Sequence, residues 1–422
     1  MKSQLGEKLN HQLKEIYGAD AVEMQSARYE QIRRRFAETF GNRDPQLFRA
    51  PGRTEIGGNH TDHQHGQVLA AAIDLDIAAA AVPEDSAVIR IFSEGFGLTE
   101  TKLDSQLTEE EKVAEKGTVS ALVRGVAEEM RKRGYRIGGC SVYASSNVPE
   151  GSGLSSSAAF EILVGIILNE FFNGGVVPPG EIAHIAQTAE NCYYGKPCGL
   201  MDQMTIAMGG LCRIDFSNPS SPAVEKLDAD FHKMGYSICI TNTHGSHADH
   251  TEDYAAVQTD LAKAASVFGK TVLEGITSDE VVGHVEEIRR AGGDRAFLRA
   301  MHIASENDRV AKEAAALKDN NMSAFLELVK RSGDSSYKLL QNVHVDRAPE
   351  RQELAVALAI SEAVLEGQGG SACRVHGGGF AGTIQTFVPS QFADEYRAAM
   401  DAVFGERSCF LIRICPEGGV RL

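Results

Sequence analysis

The 422-residue sequence has no apolar run near the roughly 20 residues that a membrane-spanning helix needs. Its opening residues, Met1-Lys2-Ser3-Gln4-Leu5-Gly6-Glu7, lack the apolar core of a secretion signal. A cytoplasmic location and no membrane partner are expected. Positive charge is in deficit: 42 lysines and arginines against 58 aspartates and glutamates leave a net charge of −16. That balance argues against nucleic acid or an anionic surface as the main partner. Cysteine is sparse, 8 in all, and scattered through apolar stretches such as Ser237-Ile238-Cys239-Ile240, so neither a disulfide framework nor a zinc ribbon is expected. Cys192 and Cys198 flank a turn at a spacing that is not a standard metal-ligand one.

Two common nucleotide motifs are missing as well. Gly269-Lys270-Thr271 resembles the end of a P-loop, but Ala264 stands where its first glycine belongs. A dinucleotide fingerprint would need a glycine at Ser156.

What is present is enough apolar material, 43% of residues, for two cores, and a chain too long for one. Amphipathic helices lead from Leu5 to Phe40. A strand into a turn is expected at Phe48-Arg49-Ala50-Pro51-Gly52, a buried strand over Val68–Ala81 broken only by Asp74 and Asp76, and further strands at Val88–Phe92 and Gly139–Ser145. Helices are expected over Thr118–Arg133, after Pro178-Pro179-Gly180 through Glu190, and beyond a strand at Tyr236–Thr241 over Asp253–Phe268, Asp294–Leu317 and Met322–Arg331. The pattern shifts near residue 215, which suggests domains of 1–215 and 216–422.

The most informative segment is Gly151-Ser152-Gly153-Leu154-Ser155-Ser156-Ser157, running into the apolar stretch Phe160–Leu168. It reads as an ordinary turn capping a core helix, or as a phosphate cradle whose backbone N–H groups and helix dipole hold an anion, with serine hydroxyls available to Mg²⁺. The segment Arg53–Gly66 packs Glu55, Asn59, His60, Asp62, His63 and His65 between glycines. Such a loop could hold a metal or be satisfied by its own turns, but polyol recognition fits best, because a carboxylate and a neutral imidazole together accept from and donate to adjacent hydroxyls. In Cys198-Gly199-Leu200-Met201-Asp202-Gln203, Asp202 is either a cap or a poised base. Glu190 is a metal carboxylate or a surface residue. His244-Gly245-Ser246-His247-Ala248-Asp249-His250 reads as a polar loop near the site, and Arg374–Phe380 as a second glycine loop.

Taken in order, Arg53–Gly66, Pro149–Ala159 and His376–Gly382 resemble the three signature motifs of the GHMP small-molecule kinases. Ala50-Pro51-Gly52-Arg53 with Gly58-Asn59-His60-Thr61-Asp62 is similar to the galactokinase signature within that superfamily, as are Pro197–Gln203 and the helix bearing His302, Glu306, Asn307, Arg309 and Val310. The resemblance covers nearly the whole chain. It implies an α/β (α+β) fold of two-domain GHMP kinase architecture, with an N-terminal ribosomal protein S5 domain 2-like lobe, a C-terminal ferredoxin-like lobe and the active site between them.

It further implies phosphorylation of the C1 hydroxyl of galactose, with ATP and Mg²⁺ as cofactors. Asp202 would be the base and Arg53 the charge stabiliser. Asn59, His60, Asp62, Gly199 and Tyr254 would bind the sugar; Gly151, Ser152, Gly153, Leu154, Ser155, Ser156 and Ser157 would hold the nucleotide; and Ser157 and Glu190 would ligate the metal. A monomer or weak homo-oligomer is expected. The family usually has glutamate at Asn59, tyrosine at His63, asparagine at Glu55 and threonine at His376. The sugar is therefore open: galacturonate, arabinose and N-acetylgalactosamine are alternatives to galactose. A non-catalytic galactose sensor and a metal-dependent hydrolase are alternatives of other classes.

Overall fold

The computed structural model describes residues 2–104, 107–149, 152–245 and 251–422, so Gly151 of the glycine/serine turn and Ser246–His250 of the second histidine cluster lie outside the described residues. The strands are β1 (Gln46–Gly57), β2 (Gln67–Glu84), β3 (Val88–Ser93), β4 (Gly97–Lys102), β5 (Gly139–Ser146), β6 (Leu211–Asp215), β7 (Ala223–Leu227), β8 (Tyr236–Asn242), β9 (Ala372–Val375), β10 (Thr383–Pro389), β11 (Cys409–Ile412) and β12 (Val420–Arg421). They form two sheets.

The larger sheet runs β12-β1-β2-β5-β3-β4, with β6 and β7 added beside β2. Its centre, β2, is buried on both faces. Ala79 and Ala81 face the main core under the helix Ser156–Asn173, while Ala78, Ala80 and Val82 face the N-terminal helices Lys2–Tyr17 and Val22–Phe40. This alternation is the two-residue period of a strand. Alanine's small side chain lets helices approach closely from either side. Asp76, which interrupts the apolar run, is fully buried and accepts from Arg49 Nε at 2.7 Å, Arg28 Nη1 at 2.8 Å and the Tyr17 hydroxyl. Burial alone would raise its carboxyl, but the two guanidiniums hold it below its usual value, so the charge pins the leading helices to the sheet.

The smaller sheet is antiparallel in the order β11-β8-β10-β9, which is fourth, first, third and second in chain order. With helices between β8 and β9 and Ala393–Phe404 between β10 and β11, this is the ferredoxin-like arrangement expected for the second lobe. β7 and β12 come from beyond residue 215 yet pair with β6 and β1, so a cut at 215 would remove two strands from the first sheet.

Two local expectations are corrected. Pro51-Gly52 is no turn: β1 continues through it with a register shift between Pro51 and Arg53, a bulge that re-aims the strand. The helix Pro179–Thr188 ends before Glu190, which lies in a π-helical turn, Ala189–Tyr194. The expected helix Asp294–Leu317 is present: a shorter helical stretch from Val285 precedes it, the two are separated by the non-helical Gly293, φ 84°, and the long helix ends at Lys318.

That long helix and the end of β9 meet the β1–β2 loop in a buried polar seam. Arg374 Nη1 donates to the Ile56 carbonyl at 2.6 Å and Nη2 to the Glu55 carboxylate. Arg309 pairs with Glu306, whose Oε1 accepts from the Gly58 N–H at 3.2 Å and from Ser332 Oγ at 2.5 Å. Glu313 stands so close that a Cβ on Gly57 would be 1.9 Å from its Oε2. Neither Glu313 oxygen has a hydrogen-bond partner among the described residues. Burial, helped by the Glu55 charge, pushes its carboxyl up to about 8 against the opposing pull of Arg374 and Arg309. A carboxyl with an ordinary value of 4.5 in the unfolded chain and about 8 in the folded one favours folding at low pH and loses that advantage as pH rises between the two. We expect this residue to lower stability by up to about 1.4 kcal/mol per pH unit over that window. Denaturant titrations at pH 5, 7 and 9 should show Glu313→Gln flattening the decline; identical pH dependence in both proteins would refute the assignment.

Candidate active site

The bulge in β1 delivers the first reactive group. Past it, the Arg53 N–H donates to the Leu154 carbonyl at 3.1 Å. A Cβ on Gly52 would stand 2.9 Å from that same oxygen, so glycine is needed for the strand to lie this close to the glycine/serine turn. The Arg53 guanidinium forms a two-pronged pair with Asp202, Nε to Oδ1 at 2.7 Å and Nη2 to Oδ2 at 2.9 Å. Its remaining nitrogen donates to the Gly153 carbonyl. Asp202 lies in the first turn of the helix Met201–Met208 and also accepts from Ser155 Oγ. Burial would raise the Asp202 carboxyl, but the Arg53 charge and these hydrogen bonds outweigh it and hold the group below its ordinary value, hence ionised. Asp202 keeps 29% of its side-chain surface open against 7% for Arg53, so the carboxylate is the more accessible partner.

The same contacts shape the turn beside it. Ser155 takes a left-handed conformation, φ 60°, at the start of the helix Ser156–Asn173, and its hydroxyl does not cap that helix. With that hydroxyl on Asp202, the first-turn N–H groups have no side-chain cap and suit an anion. Gly153, at φ 67°, turns the chain into the helix. Ser152 and Leu154 are buried; Ser152 Oγ donates to the Pro149 carbonyl at 2.5 Å, so their side chains belong to the wall. Ser156 is half-buried at the helix mouth.

Ser157 Oγ donates to Glu190 Oε1 at 3.2 Å. The other Glu190 oxygen accepts from Gln203 Nε2 at 2.8 Å, and Lys196 Nζ lies 3.2 Å from Oε1. A hydroxyl and a carboxylate oxygen converging at a helix mouth fit Mg²⁺, which takes few protein oxygens and fills its shell with water and phosphate. Among the described residues no group of three or more His, Cys, Asp or Glu side chains has the geometry of a metal centre. The metal reading of the histidine loop finds no support in its contacts: His60 Nε2 lies on the Gly378 carbonyl at 2.9 Å, and its ring centroid is 6.4 Å from that of His63.

That loop meets the rest of the site at two places. Asp62 packs against Gly199, where a Cβ would fall 1.9 Å from Oδ2, and so lies on the segment leading to Asp202. His60, Asn59 and Tyr254 converge on the third glycine motif. Tyr254 Oη donates to the Gly379 carbonyl at 2.8 Å, and its ring stands 2.5 Å from where a Cβ on Gly378 would lie. His60 is buried and held neutral, its pKa lowered to about 4 by burial despite the bond to Gly378. Because Nε2 faces a carbonyl it carries the proton, leaving Nδ1 as a buried acceptor with no partner among the described residues. Asn59 differs: it is fully buried, its Nδ2 donates to Glu55 Oε1 at 3.0 Å and the Gly377 carbonyl at 2.6 Å, and its Oδ1 accepts from Asn342 Nδ2 at 2.8 Å.

His376, at the head of the third motif, joins all three segments. Its Nε2 accepts from the Glu55 N–H at 3.3 Å and lies 2.9 Å from Thr54 Oγ1, while Nδ1 donates to Thr383 Oγ1 at 3.0 Å. Thr383 in turn donates to the Ser152 carbonyl at 2.9 Å. Sequence reasoning did not single out Lys196, Gln203 or Arg374. A lysine between Glu190 and Asp202 was the available signal for the first; the other two become visible only through contacts between distant segments.

Comparison with known proteins places these motifs. Residues 121–210 match the family model for the GHMP kinases N terminal domain, and residues 34–83 match that for the galactokinase galactose-binding signature. The chain is 30% identical over 382 residues to the galactokinase of Bacillus subtilis (strain 168), covering 87% of this chain and 91% of that protein. It is 31% identical to the galactokinase of Actinobacillus pleuropneumoniae serotype 5b (strain L20), over 86% of this chain and 90% of that one. The fold superposes on Lactococcus lactis galactokinase complexed with galactose with a TM-score of 0.79 at 25% identity, over 93% of this chain and 100% of the other. With motifs, identity and fold in agreement along most of its length, the chain belongs to the galactokinase family of GHMP kinases.

Proposed function

We propose that this ATP-dependent sugar kinase transfers the γ-phosphoryl group of ATP to the C1 hydroxyl of galactose, with the sugar and the nucleotide as its small-molecule partners. The observation that carries the reading is the ionised Asp202, gripped by Arg53 and Ser155 at an uncapped helix mouth and reached from the other side by the polyol loop through Gly199. Phosphoryl transfer depends on positioning and charge neutralisation more than on covalent help, and these residues supply both.

In this mechanism the Asp202 carboxylate accepts a hydrogen bond from the C1 hydroxyl and takes its proton as the new O–P bond forms. Its lowered proton affinity favours orientation of the hydroxyl early and proton acceptance late. Arg53 stabilises the attacking oxygen and the charge on the moving phosphoryl group. The N–H groups of Ser156 and Ser157, with the backbone of Gly151–Ser155, hold the phosphates. Ser157 and Glu190 would hold Mg²⁺, which when bound would withdraw charge from the phosphate oxygens. His60 Nδ1 accepts a sugar hydroxyl, Asp62 and the Gly199 backbone contact its neighbours, and Tyr254 closes the pocket wall. Asn59 positions the loop, since its amide is already committed to Glu55, Gly377 and Asn342.

Two experiments test this. Asp202→Asn should lower kcat by about 10²- to 10⁴-fold while nucleotide affinity, followed by fluorescence of a labelled ATP analogue, changes little; near-normal turnover would reject Asp202 as the proton acceptor. In a panel of galactose, galacturonate, arabinose and N-acetylgalactosamine with Mg²⁺-ATP, galactose should give the highest kcat/KM. Turnover of another sugar without galactose would replace the substrate, and binding without transfer would favour the sensor reading.

A further inference from the structure

Beside Glu190 stands a lysine, Lys196, that the mechanism above does not use. The π-helical turn carrying Glu190 ends at Gly195, φ 89°, and the N–H groups of both Gly195 and Lys196 return to the Glu190 carbonyl at 2.9 and 3.1 Å. The backbone of Lys196 is thus anchored on the residue its side chain meets. Lys196 Nζ lies 3.2 Å from Glu190 Oε1, the same oxygen that accepts from Ser157 Oγ. Arg53 is committed to Asp202, and among the described residues Glu190 has no other cation within ion-pair distance. The Lys196 side chain is 61% exposed, whereas Glu190 is 3% exposed. One partner is fixed and the other is free to move.

We propose that Lys196 is a charge-exchange residue: its ammonium neutralises Glu190 while the metal site is empty and transfers to the phosphate oxygens of ATP when a divalent cation takes the carboxylate. The proposal rests on the assignment of Glu190 as a metal ligand. The physical argument is one of charge. A buried carboxylate without a counter-ion is costly, and a lysine supplies one from a long flexible stem. A divalent cation attracts the same oxygen more strongly than an ammonium does, and incoming phosphates add negative charge within reach of the released lysine. The ammonium then adds to Arg53 as a second positive group near the moving phosphoryl charge, where such groups lower the barrier.

The test compares wild-type protein, Lys196→Gln, Lys196→Arg and Glu190→Gln. Mn²⁺ alone is titrated into nucleotide-free protein by electron paramagnetic resonance, and kcat and KM are measured at saturating Mg²⁺-ATP. Lys196→Gln should bind Mn²⁺ about threefold or more tightly, because a competing cation has gone. Its kcat should fall at least about tenfold with sugar KM little changed. Lys196→Arg should recover part of the kcat and keep the melting temperature of the wild type, since it retains a positive charge beside the buried Glu190. If Glu190→Gln binds Mn²⁺ as the wild type does, the metal assignment falls and the proposal with it. If Glu190→Gln loses Mn²⁺ but either Mn²⁺ affinity or kcat is unchanged in Lys196→Gln, the lysine proposal alone is overturned.

Discussion

A guanidinium held by two carboxylate oxygens has almost no rotational freedom, and the pairing of Arg53 with Asp202 uses that property to join three separate parts of the chain. The fork aligns β1 with the helix Met201–Met208, and its third nitrogen reaches the Gly153 carbonyl in the glycine/serine turn. Lysine, a point charge on a flexible stem, could not fix all three directions. One further effect follows. Because Asp202 also takes the Ser155 hydroxyl, the helix beside it loses its own cap, and the same interaction that orients a carboxylate leaves an anion site open.

The second constraint is the closeness of the lobes. Gly57 and Gly66 lie flush against Glu313 and Asn307 of the long helix, with no room for a Cβ at either position. The loop therefore takes its shape from polar atoms behind it, not from side chains of its own. His376 does the corresponding work on the other flank, linking Thr54 and Glu55 to Thr383 and through it to Ser152. Movement of the third motif would be felt at once in the sugar loop and in the turn that faces the nucleotide.

Much of this was legible in the sequence because it rests on local patterns. Glycine and serine ahead of an apolar run marked the turn and helix at Ser156, and the apolar run Val68–Ala81, broken only by Asp74 and Asp76, marked the central strand. Pro51-Gly52 was misread because a bulge and a turn share the same residues; the distinction is made by β2, which keeps pairing on both sides of the shift. Glu190 was placed on an α-helix because the π-helical turn has no signature of its own. Asn59 offers the clearest case of missing information: nothing in Gly58-Asn59-His60 discloses that Asn342, far along the chain, occupies its carbonyl. Buried polar partners depend on tertiary contact, which periodicity does not record.

Residues 413–421 have a part in the first sheet. Cys415 donates its N–H to the Ala72 carbonyl, Asp74 donates to the Arg413 carbonyl, and Val420–Arg421 pair with β1, the strand that carries Arg53. During synthesis, that edge of β1 stays open until Val420 and Arg421 have been made, however early the strand itself leaves the ribosome. The strand bearing the guanidinium is therefore sealed by backbone that is translated after the whole of the second sheet.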